Sequence, residues 1–514
     1  MKGTVMGITE KQEITVKENR FAKENVFISM QPENTPLPSY EEARGRLPRP
    51  VWDAHPDALA CYDRAWELAF GNLRRPLPGT GFVSNYIDTA FNGCLFMWDS
   101  SFILMFGKYG ARTFNFQGTL DNMYSHQYAD GYICREIEED TGFEHFTRFD
   151  PASTGPDVMA WCEWEYYKNF GDTDRLARVF PCLMAYHEWM REFRTWRDGT
   201  YWSSGWGCGM DNLPRMQPGY HVSFSHGHMI WNDACMQELM NCDILARMAE
   251  VLGRKADAAP LAAERENLIR VVNDKLWDEE SAFYYDMWRD GTLNRVKHIG
   301  AYWALLAGIV PEARAERFIA HLTDPREFAA PCMIPALSQD HPEFSPVGDY
   351  WNGGIWAPTD YMVLCGLDRY GKYALSHDIA VNFLDNVVRV FNKSGTLYEN
   401  YAPFPDENGS PRKGEPARAD FVGWTGLAPV SVLFEFVFGI KPDAQNNTIR
   451  WRVDLTDRFG VENYPFGKDA TLSLICEERG DISDEPVVYI ASDRPVTVEV
   501  IWDNGKNSKV LTAG

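Results

Sequence analysis

The feature that most constrains this chain is a series of helical segments whose connections alternate between long and short. Apolar residues recur with helical spacing from about residue 56 to residue 438. The pattern predicts twelve helices, which start near residues 56, 98, 113, 156, 174, 228, 257, 297, 312, 357, 372 and 422. Because short turns join antiparallel neighbours, the intervening loops of about 20 to 34 residues all fall on one face. We therefore predict a mainly α chain folded as an (α/α)6 toroid of six hairpins, with an irregular helical array as the alternative.

The periodicity changes from helical to alternating at about residue 440. The segments NNTIRWRVDL, ATLSLICEE, EPVVYIAS and PVTVEVIWD place apolar residues at every second position, and turn residues separate them. We predict three parts: an N-terminal arm over residues 1–50, a helical barrel over 51–440, and a small antiparallel, sandwich-like β-domain over 441–514.

The charge balance limits the partners of this chain. Its net charge is -23, which disfavours nucleic acids and anionic membrane surfaces because these attract basic patches. Eleven cysteines are scattered without a CxxC pair, as in reduced cytoplasmic proteins. The N-terminus has no apolar signal region and no later run is long enough to span a bilayer. We expect a cytoplasmic protein with no nucleic-acid or membrane partner, and the sequence leaves a homo-oligomer open.

Aromatic residues are frequent in the predicted loops, beside Gly, Asp and Asn, as in FMWDSSF, SSGWGCGMDN, YWNGGIW and FVGWTG. Sugar-binding clefts use such rings because the C–H faces of a sugar stack on them while polar neighbours bind the hydroxyls. Loops on one face of a toroid would converge on its central pocket, so the motif residues form a candidate site for a small carbohydrate. The candidate substrate-binding residues in these loops are Trp98, Asp99, Gln127, Asp130, Arg135, Trp206, Trp351, Asn352, Trp356, Tyr401 and Trp424.

Two carboxylates in the loops are candidates for catalysis. Asp211 follows a stretch rich in Gly and Trp, and a carboxyl beside apolar rings has a raised pKa and can donate a proton. Glu399 lies between Tyr398 and Asn400, whose polar groups could orient it and a water molecule. An acid and a base across a cleft, about 6.5–9.5 Å apart, are typical of inverting glycosidases. The alternatives are a helix cap or turn residue for Asp211 and a loop-bracing carboxylate for Glu399.

The motifs WDSSF, SGWGCGMDN, YWNGGIWAPTDYMV, YENYAP and DFVGWTGLAP resemble, in this order, those of glycoside hydrolase family sixty-three and the mannosylglycerate-hydrolase-like group, related to trehalases. The resemblance runs from about residue 90 to residue 440. It implies an (α/α)6 barrel and inverting hydrolysis of α-glucosides or α-mannosides, with Asp211 as general acid and Glu399 as general base. It also implies that Trp98, Trp351 and Trp424, together with Asp99, shape the sugar site.

The chain departs from this pattern in places. Many members have Arg where this chain has Asn352, and the acid segment contains an extended spacing around Cys208. Glu415, in the segment KGEP, resembles a second acid of trehalases, so it could contact substrate or act as the base. Asp99 is the next candidate if Asp211 is not the acid.

The long mouth loops favour a closed pocket, so we predict exo-action on a disaccharide, short oligosaccharide or small glycoside. Two carboxylates need no redox or metal centre, and no P-loop, dinucleotide fingerprint or convincing Cys/His zinc set occurs, so no cofactor is predicted. Three alternatives remain open: a sugar epimerase or isomerase, a polysaccharide lyase, and a carbohydrate-binding protein without turnover. The epimerase would use His221, His226, His228 or His298 as base, and the lyase Arg135, Arg148 or Arg215 to neutralise a uronate.

Overall fold

Twelve main helices occupy the chain between residues 56 and 437 in a computed structural model that describes residues 17–89, 92–405 and 417–514. They are α1 (Pro56–Gly71), α2 (Met97–Gly107), α3 (Gly118–Ser125), α4 (Met159–Phe170), α5 (Thr173–Phe193), α6 (Asn232–Val251), α7 (Lys255–Val271), α8 (Trp303–Ala307), α9 (Glu312–Ile319), α10 (Ala357–Arg369), α11 (Tyr373–Ser394) and the π-type helix α12 (Ala428–Val437). Each predicted helix is present. The starts of α3, α8 and α12 were predicted too early. Before α8 and α12, 3₁₀ turns over Ile299–Tyr302 and Thr425–Leu427 extend the helical spacing toward the N-terminus.

The even-numbered helices form a closed ring of contacts. Helix α2 packs against α4, α4 against α6, α6 against α8, α8 against α10, α10 against α12, and α12 against α2. Every residue of α2, α8 and α12 is buried, as expected for helices that are covered on all faces. The odd-numbered helices α5, α7 and α11 pack against members of this ring, and α11 shows a clear division into a buried and an exposed face.

A buried carboxylate joins three parts of the ring. Glu435 on α12 accepts hydrogen bonds from Lys108 Nζ at 2.9 Å and Tyr109 OH at 2.7 Å, just after α2. Its second oxygen accepts from Tyr361 OH on α10 at 2.8 Å. A buried charge is tolerated when it is paired and hydrogen-bonded in this way, so these bonds fix the ends of α2, α10 and α12 against each other.

Two-stranded antiparallel ribbons lie in the long connections. They are β2 (Leu73–Arg74) with β3 (Tyr86–Ile87), β4 (Cys94–Phe96) with β5 (Glu136–Glu138), β6 (Trp277–Asp278) with β7 (Phe283–Tyr284), and β8 (Asp286–Met287) with β9 (Leu293–Asn294). Short and long connections alternate as predicted. In the described ranges, no helix has the length and apolar character needed to cross a bilayer.

The C-terminal strands form two four-stranded sheets, as predicted for a β-rich C-terminus. The strands are β10 (Ile440–Asp443), β11 (Thr448–Arg452), β12 (Phe459–Phe466), β13 (Ala470–Cys476), β14 (Val488–Ser492), β15 (Val496–Trp502) and β16 (Asn507–Ala513), joined by β1 (Arg49–Trp52) from the N-terminal side. The sheet orders are β1-β12-β13-β14 and β10-β11-β15-β16.

The prediction of a wholly antiparallel domain is wrong for one pair. Strands β11 and β15 pair in parallel. Parallel neighbours need a long crossover connection, and here the chain passes through three strands of the other sheet between the two partners. Strand β1 pairs antiparallel with β12, which ties the chain before α1 to the C-terminal strands.

Candidate active site

The first turn of α2 carries Trp98 and Asp99. The ribbon of β4 and β5 leads into this turn, and Met97 N donates to Arg135 O at 2.9 Å. Arg135 therefore lies beside the start of α2, where its guanidinium pairs with Glu136 at 2.8 Å. Two separate loops thus place a carboxyl, a guanidinium and an indole in one region.

The pKa of Asp99 is shifted by burial and by charged neighbours. It is buried, and burial raises the pKa of its carboxyl well above the usual value. The negative charge of Glu399 raises the pKa of Asp99 further, Arg135 opposes the rise, and the carboxylate of Asp211 adds to it. Because charge interactions of this kind weaken with distance, the carboxyl of Asp99 in the first turn of α2 lies near those of Asp211 and Glu399, which belong to the third and sixth long connections.

Glu399 is held through its backbone and its side chain. Its N–H donates to Arg418 O at 3.0 Å, and its carbonyl accepts from Trp424 Nε1 at 2.7 Å. The hydroxyl of Tyr350 lies 3.3 Å from Glu399 Oε1. The carboxylate is therefore positioned by residues from both the fifth and the sixth long connections. Tyr350 was absent from the predicted site, although it directly precedes the predicted Trp351.

An unusual backbone conformation places Tyr350 against Glu399. Tyr350 has φ +66°, a left-handed conformation that costs an L-residue roughly 1–2 kcal/mol. Its ring packs on Trp356 with centroids 4.8 Å apart, and Trp356 stacks in parallel on Trp351 at 4.0 Å. At Gly353, with φ +144°, a Cβ would come within 2.8 Å of the Phe344 ring. The stacked rings and this close approach hold the turn.

The loop that carries Asp211 is joined to the same turn through Asn212. Asn212 Oδ1 accepts from Trp351 N at 2.8 Å, and Asn212 Nδ2 donates to Asp349 O at 2.9 Å. At Gly209, with φ +75°, a Cβ would lie 3.3 Å from the Trp98 ring. The loop that carries Asp211 therefore contacts both the Tyr350 turn and the first turn of α2.

A buried ion-pair network is formed by Arg215, four residues after Asp211 in the same loop. Arg215 Nη1 lies 2.6 Å from Asp233, and its Nη2 lies 2.7 Å from Asp286. The guanidinium stacks over the Trp231 ring at 4.2 Å. Removing one partner of a buried pair is strongly destabilising, so this network ties the loop to the first turn of α6 and to β8.

Several buried polar atoms of the site have no hydrogen-bond partner within the described ranges. They are Trp98 Nε1, Asp99 Oδ1, Asn352 Oδ1, and both amide atoms of Asn400. Buried polar atoms in native proteins are nearly always bonded to protein or to water or ligand. These atoms are therefore candidates to bind hydroxyl groups. Asn400 was not in the predicted set, but its position beside Glu399 was the available signal.

Two predicted substrate-binding residues have hydrogen-bond partners within the protein. Gln127 accepts from Asn25 Nδ2 at 3.0 Å and donates to Cys182 O at 2.8 Å, so its amide braces the N-terminal segment against α5. Asp130 forms an ion pair with Arg148 and accepts from Trp189 Nε1. The loop position of both residues was read correctly, but these polar groups already have partners inside the protein.

The other predicted residues differ in how far they are exposed to solvent. Trp356 and Tyr401 are buried, and Tyr401 OH accepts from Tyr398 N at 3.2 Å. Trp206 is partly exposed, and its carbonyl accepts from Arg135 Nη1 at 3.1 Å. Glu415 lies outside the described residues.

Several known proteins are similar to this chain. The profile of the mannosylglycerate hydrolase MGH1-like glycoside hydrolase domain matches residues 95–425. An uncharacterized protein of Borreliella burgdorferi is 23% identical over 402 residues, which cover 77% of this chain and 80% of that one. A probable mannosyl-oligosaccharide glucosidase of Schizosaccharomyces pombe is 27% identical over 296 residues, 51% of this chain but only 34% of that protein.

A crystal structure of the GH63 mannosylglycerate hydrolase from Thermus thermophilus in complex with glucose has the same fold, with a TM-score of 0.57 at 20% identity. The similarity covers 72% of this chain and 99% of that chain. The profile match extends over more than half of the present chain and includes Asp99, Asp211 and Glu399. This chain therefore belongs to the mannosylglycerate hydrolase MGH1-like family of glycoside hydrolases.

Proposed function

We propose that the chain is an inverting, exo-acting glycoside hydrolase built on an (α/α)6 toroid. The closed ring of even-numbered helices supports the toroid, because the six long connections then share one mouth. One observation carries the proposal most directly. The negative charges of Asp211 and Glu399 both raise the pKa of the buried carboxyl of Asp99, although Asp99 lies in the first turn of α2 and the other two residues lie in different long connections.

In the proposed reaction, Asp211 protonates the oxygen of the leaving group as the glycosidic bond breaks. Glu399 takes a proton from a water molecule that attacks the anomeric carbon from the opposite face. Tyr350 holds Glu399 in position through the 3.3 Å contact with Oε1. Asp99, with its raised pKa, keeps its proton to higher pH than an ordinary aspartate, so it can donate a hydrogen bond to a sugar oxygen.

The proposed substrate is an α-glucoside or α-mannoside of a disaccharide, a short oligosaccharide or a small glycoside. The relatives are named as a mannosylglycerate hydrolase and a mannosyl-oligosaccharide glucosidase. The negative charge of Glu399 favours a neutral sugar at the cleavage point, because a second negative charge there would be repelled.

The lyase and epimerase alternatives have weaker support. Arg148 pairs with Asp130, and Arg215 pairs with Asp233 and Asp286, so both guanidiniums already have carboxylate partners. His226 packs against Trp196 and Trp202, in the part of the third long connection beyond the acid segment. Hydrolysis is therefore the function that the geometry supports best.

The test is a panel of α-linked gluco- and manno-disaccharides and glycosylglycerates, incubated with the full chain and followed by proton NMR. We expect cleavage of at least one class, with the first product in the β configuration. An isomer of unchanged mass would indicate an epimerase, and an unsaturated product that absorbs in the ultraviolet would indicate a lyase. Release of the α-anomer would overturn the inverting mechanism.

A further inference from the structure

A second cluster of reactive side chains lies among α5, α6 and α7, separate from the active-site motifs. His187 on α5, Cys242 on α6 and Glu264 on α7 place one ligand atom each within 4.8 Å of the others. His187 and Cys242 are buried and Glu264 is largely so. The catalytic proposal uses none of them, and they are too far apart in sequence to form a recognisable motif.

Two of the three distances between ligand atoms in this cluster fit tetrahedral coordination. Zn²⁺ bonds to nitrogen at about 2.0–2.1 Å, to oxygen at about 2.0–2.2 Å and to sulfur at about 2.3 Å. Tetrahedral angles then separate nitrogen from oxygen by about 3.4 Å and nitrogen from sulfur by about 3.6 Å. The observed separations are 3.2 Å from His187 Nε2 to Glu264 Oε2 and 3.8 Å from His187 Nε2 to Cys242 Sγ.

The other ring nitrogen of His187 has the partner that a metal-binding histidine usually has. Its Nδ1 lies 2.7 Å from Glu238 Oε2. When Nδ1 donates to a carboxylate, Nε2 of the neutral ring presents a lone pair. Here Nε2 faces Glu264 Oε2 at 3.2 Å, and a contact this short between a ring nitrogen and a carboxylate oxygen needs a proton or a cation between the two atoms.

The neighbouring groups leave one oxygen of Glu264 for that cation. Tyr201 OH donates to Glu264 Oε1, and Arg191 Nη1 makes a longer contact of 3.4 Å with Oε2. A bound Zn²⁺ would release the thiol proton of Cys242 to solvent. The thiolate and the Glu264 carboxylate would then balance the charge of the cation.

We propose that His187, Cys242 and Glu264 form a binding site for Zn²⁺ or a similar divalent transition metal, with Glu238 orienting His187. The ion would connect three consecutive helices, α5, α6 and α7. It takes no part in the proposed hydrolysis.

The test uses the full chain, stripped with a chelator, reconstituted with Co²⁺ or Zn²⁺ and desalted. We expect about one metal ion per chain by elemental analysis. The Co²⁺ form should absorb in the near ultraviolet through a thiolate-to-cobalt charge-transfer band. Cys242→Ser should lose the band and most of the metal. Cys182→Ser, which changes a different buried cysteine on α5, should keep both.

Wild-type protein that retains no metal after reconstitution would overturn the site, and would leave His187 as a protonated ring between Glu238 and Glu264. Equal metal content in the wild type and in Cys242→Ser would overturn it as well. A second readout does not depend on the folding of a variant: adding Zn²⁺ to the stripped wild type should raise its Tm. An unchanged Tm at saturating Zn²⁺ would contradict the proposal.

Discussion

The hydroxyl of Tyr350 lies 3.3 Å from Glu399 Oε1 and links the fifth long connection to the sixth. Tyr350 adopts a left-handed backbone conformation, which most non-glycine residues avoid. Strain of this kind persists only where the surroundings impose it, and it concentrates at functional sites. The strained turn and the hydrogen bond together identify Tyr350 as a positioning residue for the proposed base.

Replacing Tyr350 with Phe should lower kcat about tenfold, because one hydrogen bond to a charged group contributes about 1.5–3 kcal/mol and only part of this acts in the transition state. KM should change little. The acidic limb of the rate profile should move to higher pH, because a hydrogen bond to a carboxylate favours its charged form. Steady-state kinetics across pH measures both effects.

The matched control for this variant is Tyr361→Phe, which removes a buried hydroxyl that donates to Glu435 away from the site. It should lower Tm without shifting the pH limb. Identical pH profiles for wild type and Tyr350→Phe would remove Tyr350 from the mechanism.

The buried carboxyl of Asp99 predicts a pH-dependent cost in stability. Burial, then the charge of Glu399 and that of Asp211, raise its folded pKa above the unfolded value. The folded state therefore binds more protons than the unfolded state, and stability falls as pH rises from the unfolded pKa of about 3.9 toward the folded pKa. Asp99→Asn removes this loss, so it should raise Tm relative to wild type, and more at pH 8 than at pH 5.

Calorimetry at the two pH values measures this difference, and Asp99→Asn should also lose activity because it cannot reproduce the carboxyl. A Tm gap that shrinks as pH rises would contradict the sign of the shift. Asp469→Asn, which removes an exposed carboxyl from the turn between β12 and β13, is the control, and its Tm difference from wild type should be smaller than that of Asp99→Asn at both pH values.

Glu399→Gln tests the proposed base. The amide keeps the shape of the side chain but cannot accept a proton from water, so kcat should fall by roughly 10²–10⁴ while substrate binding survives. Calorimetric titration of the variant with substrate measures the binding. Glu343→Gln changes an exposed carboxyl of the fifth connection and should retain full activity. A variant Glu399→Gln with near-normal kcat would transfer the base role to another acid, with Glu415 the first to examine.

The helices and the position of the main motifs were predictable because both depend on local sequence. Helical spacing and turn residues act over a few positions, and so the twelve helices and their alternating connections follow from the chain. The segments around Asp99 and Glu399 were likewise visible as polar motifs in loops. The 3₁₀ turns before α8 and α12 made the predicted starts of these two helices too early.

Relationships between distant segments were not predictable in this way. Gln127 and Asp130 lie in the expected loop. Their side chains contact Asn25 and Arg148, and these contacts depend on how the segments pack. The parallel pairing of β11 with β15 requires a crossover that alternation alone does not specify. Tyr350 was missed because its role comes from contact with Glu399, 49 residues away.

The final prediction concerns Asp211 and separates an acid from a residue that only shapes the loop. If Asp211 protonates the leaving group, Asp211→Asn should lose most activity on a natural disaccharide, whose leaving alcohol is a poor one. It should lose least on an activated aryl glycoside, whose leaving group needs little protonation. Rates on the two substrates, for wild type and variant, give the comparison.

Asn212→Ala is the control for loop position, because Asn212 bonds to Trp351 N and Asp349 O and has no acidic proton. It should reduce the rates on both substrates by a similar factor, since displacement of the loop affects every substrate. Wild type should also show a bell-shaped pH profile whose basic limb disappears in Asp211→Asn. If Asp211→Asn instead lowers both rates equally and keeps the basic limb, the proton comes from another carboxyl, and the buried Asp99 becomes the candidate acid.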